Sequence, residues 1–120
     1  MAEKRQAVIV GGGPAGLTAG IYLMRAGLDA LLVEKGVCGG TPTKYDFVEN
    51  YPGFPEGISS KDLAGRMTEQ AKRFGLSIRE FCQVDEVARE GDGFLVKTAD
   101  GEIECSGVIA LMRESQASPR

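Results

Sequence analysis

A chain of 120 residues with 42% hydrophobic content makes one domain or part of one, with enough apolar residues for a core. Fourteen basic against seventeen acidic residues leave a net charge of −3, without the basic block that would suit nucleic acid or an anionic membrane. Cys38, Cys82 and Cys105 are widely spaced and histidine is absent, which argues against a disulfide framework, a structural zinc site and Ser-His or Cys-His nucleophilic catalysis.

Met1–Gln6 is polar and leads straight into a strand, so no signal peptide is expected, and no apolar run approaches the ~20 residues of a membrane span. A cytoplasmic location is the default expectation. Val8-Ile9-Val10 predicts a buried strand, and it breaks into Gly11-Gly12-Gly13-Pro14-Ala15-Gly16, a dinucleotide fingerprint opening a helix. Gly11 allows the tight turn, Gly13 lets the backbone approach a pyrophosphate, and Gly16 lets the helix pack close to the strand. The phosphates would sit on the helix N-terminus, where unpaired N–H groups favour anions.

The helix is expected from about Pro14 to Ala26, burying Leu17, Ile21 and Met24 and ending at Gly27, with Gly20 permitting close packing against the sheet. Ala30–Val33 predicts a second strand, ending in Glu34, 18 residues beyond Gly16. An acid there accepts hydrogen bonds from a ribose and opposes a 2′-phosphate. The competing reading is a purely structural glycine turn with a surface glutamate, and the strand–turn–helix–strand context favours the fingerprint.

Lys35 to about Ile58 reads as a long connection rich in glycine and proline, of a length usually reserved for function, with Cys38-Gly39-Gly40-Thr41 able to bring backbone N–H groups near a cofactor. Ser59 or Ser60 caps a second helix with Leu63, Met67, Ala71 and Phe74 on its apolar face, stopped by Gly75. From Leu76 the period changes to two. Strands at Ser77–Phe81, Val84–Val87, Phe94–Thr98 and Ile103–Cys105 are expected to form a small antiparallel meander, followed by a buried strand Gly107–Leu111 and a frayed tail Arg113–Arg120. The order βαβ, loop, helix, meander, strand is that of an FAD-binding half.

Three stretches together resemble the low-molecular-weight thioredoxin reductase family of FAD flavoproteins: Gly11 to Ala19, the Gly39-Gly40 pair, and Val48-Glu49-Asn50-Tyr51-Pro52-Gly53-Phe54-Pro55. The resemblance runs from Val8 to about Ile109. It implies an α/β, Rossmann-like FAD-binding βαβ unit with an antiparallel β-meander, incomplete relative to the family. By that resemblance Gly11, Gly13, Pro14, Ala15 and Gly16 hold the FAD pyrophosphate, with Glu34 and Lys35 near the adenosine ribose. Gly39, Gly40, Thr41 and Asn50 line the flavin side, and Val84 contacts adenine through its backbone. No metal site and no catalytic residue is implied.

The chain departs from the family at Thr41-Pro42, where Gln-Leu is usual, and at Met112-Arg113, which replace the Thr and Gly of an alanine-threonine-glycine turn. Ala117-Ser118-Pro119-Arg120 resembles the family's segment after that turn, as a local alteration between Ala110 and Ala117 would produce. Residues 1–111 are thus expected to be the first segment of an FAD-binding domain and 112–120 a divergent tail. By the resemblance, the family's NADPH domain with its C-x-x-C pair and the closing FAD segment are expected to lie outside these 120 residues.

The resemblance implies an NADPH-dependent thioredoxin-disulfide reductase, with NADP bound only through the absent domain and a thioredoxin-like disulfide protein as partner. This chain is expected to bind FAD without being catalytic alone, weakly and with a tendency to associate. Cys38, without a resolving partner, is expected to be inert. The alternative is a stand-alone dinucleotide-binding module or a subunit completed by another chain or a homodimer. An NAD site in a short dehydrogenase is a third reading, opposed by the meander and by the lack of a proton donor such as histidine.

Overall fold

A computed structural model describes residues 2–39 and 46–111. Gly40 and Thr41 of the expected flavin side, and the expected tail 112–120, lie outside the described residues. The strands are β1 (Glu3–Lys4), β2 (Ala7–Val10), β3 (Ala30–Val33), β4 (Phe47–Val48), β5 (Ile58–Ser59), β6 (Ser77–Arg79), β7 (Val84–Glu90), β8 (Gly93–Thr98), β9 (Gly101–Cys105) and β10 (Gly107–Ala110). The helices are α1 (Pro14–Arg25) and α2 (Ser60–Arg73).

A parallel sheet in the order β10-β2-β3-β6 forms the middle layer, with Val8 opposite Leu31 on one side and Val108 on the other. Its strands β2, β3 and β10 read as continuous apolar runs because both faces are covered, whereas β6, Ser77-Ile78-Arg79, alternates. Ile9 and Leu32 point into one core with Leu17 of α1, Ala71 of α2 and Leu76. Val8, Leu31 and Val33 point the other way, into a core shared with Val96 of β8 and Ile103 of β9. The second sheet, β1-β9-β8-β7, therefore lies against the face opposite the helices.

α1 has Gly13 as its N-cap, carries Pro14 at its first position and has Ala26 as its C-cap, after which Gly27 turns with φ 85°. α2 is capped by Ser59, whose Oγ accepts the Asp62 N–H at 3.1 Å, and it stops before Gly75 at φ 93°. Both ends match the expected boundaries.

Several features differ from the reading of the sequence. Ser77–Arg79 is not part of the meander: β6 joins the parallel sheet beside β3, because α2 serves as the crossover that returns the chain in the same direction. The polar N-terminus contributes β1, which pairs in parallel with β9. The long connection contains a two-residue hairpin, β4 with β5, pairing Phe47 with Ser59 and Val48 with Ile58. A Cβ on Gly20 would strike the Leu76 side chain, so this glycine makes room for the residue leading into β6 rather than for the sheet. Phe74, expected on the apolar face of α2, is largely exposed as its C-terminal cap.

The cleft at the carboxyl ends of the parallel strands

A parallel α/β sheet leaves a crevice outside the carboxyl ends of its strands where the order reverses. Here the reversal falls at β2, with β10 on one side and β3 on the other. An open cleft of about 320 Å³ lies there, lined by Val10, Val33 and Ala110 at the three strand ends, by Gly11, Glu34 and Lys35 just beyond them, by Cys82 and Gln83 ahead of β7, and by residues 84–87 of β7 in the second sheet.

The fingerprint turn is shaped by backbone contacts. Gly11 has φ 120°, its N–H donates to Val33 O at 2.9 Å, and a Cβ on it would come within 2.5 Å of Leu111 O. A Cβ on Gly16 would collide with Gly11 O, so helix and strand touch where this glycine lies. Beside Gly13, in contrast, an added Cβ meets nothing within 4 Å. That open space adjoins the first turn of α1, which has no acidic residue and no side-chain cap. Its N–H groups and the helix dipole together suit an anion.

Glu34 ties the cleft together. Its Oε1 accepts the Gly12 N–H at 2.7 Å and its Oε2 accepts the Gly36 N–H at 2.8 Å. A carboxylate has about four acceptor positions, so each oxygen retains capacity for a hydroxyl. Among the described residues Lys35 is the one cation in the cleft lining, against the carboxylates of Glu34, Asp85 and Glu86. This balance opposes an additional phosphate.

Val84 lies at the start of β7, the edge strand of the second sheet, where the pairing with β8 shifts register between Val84 and Glu86. β7 pairs with β8 on one side and has no strand on the other among the described residues. Gly39 is brought to the fingerprint directly, its N–H donating to Gly12 O at 2.8 Å.

Asn50 is not brought to the cleft. It is exposed beyond β4, and its neighbour Tyr51 lines a separate groove of about 370 Å³ between α1 and α2, together with Pro14, Tyr22 and Phe74. Among the residues sequence reasoning missed are Cys82, Gln83 and Asp85, which line the cleft around Val84, and Leu111, which follows the last parallel strand. Leu111 follows the carboxyl end of β10, a position that the order-reversal rule points to, whereas Cys82, Gln83 and Asp85 come from the segment entering β7 and carry no local signal.

Cys38 is buried, and burial, then Glu80 and Glu34, push its thiol up to about 11. It is therefore protonated and unreactive at neutral pH. Among the described residues no group of His, Cys, Asp or Glu is arranged to hold a metal, and no helix is long and apolar enough to cross a membrane.

Comparison with known proteins agrees with this geometry. The family model described as pyridine nucleotide-disulphide oxidoreductase matches residues 5–109. A thioredoxin reductase of Helicobacter pylori is 43% identical over 103 residues, covering 84% of this chain and 33% of the relative. One from Bacillus subtilis is 38% identical over 111 residues, covering 91% of this chain and 34% of the relative. Among solved structures, the thioredoxin reductase of T. acidophilum superposes with a TM-score of 0.82 at 32% identity, covering 90% of this chain and 35% of that one. The atypical thioredoxin reductase TRi from Desulfovibrio vulgaris Hildenborough gives 0.83 at 34% identity, covering 96% and 38%. The chain spans about a third of the length of the curated relatives it matches.

Proposed function

Because the chain belongs to the pyridine nucleotide-disulphide oxidoreductase family, we propose that it binds FAD as the N-terminal part of the FAD-binding domain of a thioredoxin-reductase-like enzyme. The observation that carries this reading is Glu34 bonded to Gly12 at 2.7 Å in a cleft at the carboxyl ends of β2, β3 and β10. One carboxylate supports the phosphate-facing glycine turn and keeps acceptor capacity for a ribose. In this reading residues 1–111 are the first segment of that domain and 112–120 a divergent tail.

The residues present fit the cofactor. Gly11, Gly13, Pro14, Ala15 and Gly16 would hold the pyrophosphate in the space beside Gly13, and Glu34 and Lys35 would meet the adenosine ribose. Val84, at the start of β7, which is an edge strand among the described residues, would contact adenine through its backbone. Gly39, Gly40, Thr41 and Asn50 would face the flavin, outside the cleft that Glu34 and Val84 line. Bound FAD supplies hydride and two-electron transfer. The chain itself supplies binding and orientation, and it holds no C-x-x-C pair to pass electrons onward.

The activity of the whole enzyme, transfer from NADPH to a thioredoxin-like disulfide in the cytoplasm, is proposed for the full-length family architecture and not for these residues alone. A second reading is a module completed by another chain or a second copy. It is favoured by β10 being the edge strand of the parallel sheet next to the cleft, with one side unpaired among the described residues.

Titration of the purified chain with FAD, followed by flavin fluorescence and absorbance with NAD as competitor, tests the reading. Saturable FAD binding that NAD displaces poorly is expected, with no NADPH-dependent disulfide reduction. Absence of FAD binding, or tighter binding of NAD, overturns it.

A further inference from the structure

Glu80 follows β6 and lies outside the cleft lining and outside the FAD contacts proposed above. Its Oε2 nevertheless accepts the Cys38 N–H at 2.8 Å, across 42 residues of chain. The next amide, that of Gly39, donates to Gly12 O at 2.8 Å, while the Gly12 N–H donates to Glu34 Oε1 at 2.7 Å. Two carboxylates thus hold the middle of the glycine turn from opposite groups of one residue, Glu34 directly and Glu80 through the Cys38–Gly39 turn. The fit leaves little slack, since a Cβ on Gly12 would come within 2.7 Å of Cys38 Sγ.

The backbone on the Glu80 side is unusual in a way that serves this link. Phe81 adopts φ 55°, uncommon for a residue with a bulky side chain, and its ring is 74% exposed. Burial of the ring therefore does not account for the conformation. Its backbone bonds do: the Phe81 N–H donates to Gly36 O at 3.0 Å and the Cys82 N–H to Glu34 O at 2.9 Å. The left-handed turn registers residues 80–82 against residues 34–38, which places the Glu80 carboxylate on the Cys38 amide.

We propose that Glu80 is a positioning residue of the dinucleotide site, holding the Cys38–Gly39 turn and, through the Gly39–Gly12 bond, the conformation of the phosphate-facing glycine loop. The ligand in this statement rests on the FAD reading above, whereas the mechanical link rests on the hydrogen bonds alone. A charge-assisted bond from carboxylate to backbone N–H is stronger than a neutral one, and solvent at the exposed Glu80 moderates it.

The test is amide hydrogen exchange on the full chain, with and without FAD, in Glu80→Ala and Glu80→Gln. In Glu80→Ala the Gly12 and Gly39 amides are expected to exchange about fivefold faster, and the FAD dissociation constant to rise by a similar factor. Ile9 and Leu32 in the parallel sheet keep parental protection. Glu80→Gln retains an acceptor oxygen and restores most of both effects.

Parental exchange at Gly12 and Gly39 in Glu80→Ala overturns the proposal. So does faster exchange there without weaker FAD binding, or an equal loss of protection at Ile9 and Leu32, which would mark a merely structural role. If the parental chain itself fails to bind FAD, the reading of the ligand falls, and the exchange arm without FAD still decides whether Glu80 holds the loop.

Discussion

Two of the three stretches that carry the family resemblance are held in unlike ways. Gly11–Gly16 is fixed by close backbone approaches, with Gly11 against Leu111 O and Gly16 against Gly11 O, and by the Glu34 carboxylate. Val48–Pro55 lies at the surface between two-residue strands, with Tyr51 45% exposed and its ring 6.3 Å from that of Phe54. Arg66 of α2 stands over the Phe54 ring at 5.6 Å. The fingerprint is a backbone shape that the fold imposes, whereas the second motif presents side chains on a short hairpin. Equal motif resemblance therefore conceals unequal structural commitment.

The sharpest way to break this contrast is to add one side chain to each stretch. Gly16→Val would drive its Cβ into Gly11 O, forcing α1 away from β2, and is expected to cost about 3 kcal/mol or more in urea denaturation. Gly53→Ala meets open space and suffers only from φ 104°, at about 1 kcal/mol. Equal losses at the two positions would refute the idea that the fingerprint is the structurally committed motif.

Next in size is Glu34→Ala, which leaves the Gly12 and Gly36 amides without their acceptor. A loss of about 2 kcal/mol in stability is expected from two partly buried donors. FAD affinity should fall at least about tenfold, as loss of a ribose acceptor implies. A variant that keeps parental stability and affinity would show that Glu34 supports neither the turn nor the ligand.

The legibility of the sequence divides along the same line. Val8–Gly16, Ala30–Glu34 and the ends of both helices were legible because strand runs, glycine turns and caps are local signals. β6 was misread because Ser77–Arg79 alternates like a meander strand, and only the crossover through α2 decides which sheet receives it. The β4–β5 hairpin escaped notice because two residue pairs leave no periodicity to detect. Of the cleft, Gly11 and Glu34 follow from the fingerprint and its spacing and Lys35 and Val84 from the family resemblance, while Gln83, Asp85 and Leu111 line it only because segments distant in the chain meet there. Glu80 shows no local pattern at all: its partner is 42 residues away.

A smaller effect is expected at the seam between the sheets. Glu3 of β1 accepts from Arg79 of β6 at 3.0 and 2.9 Å and from Arg5 Nε at 3.0 Å. The Arg79 guanidinium foremost, then Arg5, hold its carboxyl down to about 2 from an ordinary 4.5, against the opposing effect of burial. Because the folded value is depressed, the stabilisation is complete above about pH 4.5 and is lost as pH falls toward about 2. The side chains are 35% and 37% exposed, so solvent screening limits the contribution to about 1 kcal/mol. Arg79→Ala should lower stability by that amount at neutral pH and flatten the decline between pH 4.5 and 2 in acid titrations followed by circular dichroism. An unchanged acid limb would remove this ion-pair network from the account of the seam.

The smallest stability effect belongs to Asn50, and it separates the two motifs most cleanly. Asn50 is exposed, lies outside the cleft, and belongs to the stretch that presents side chains rather than backbone. Asn50→Ala should therefore leave the urea midpoint within about 0.5 kcal/mol of the parent, as surface substitutions usually do. If Asn50 faces the flavin when FAD is bound, the same variant weakens FAD binding or changes the flavin fluorescence of the complex while stability stays constant. A stability loss above about 1 kcal/mol would mean that the second motif is structurally held after all. Parental stability together with parental FAD affinity and fluorescence would remove Asn50 from the site, leaving FAD recognition by this chain to the fingerprint, Glu34 and Val84.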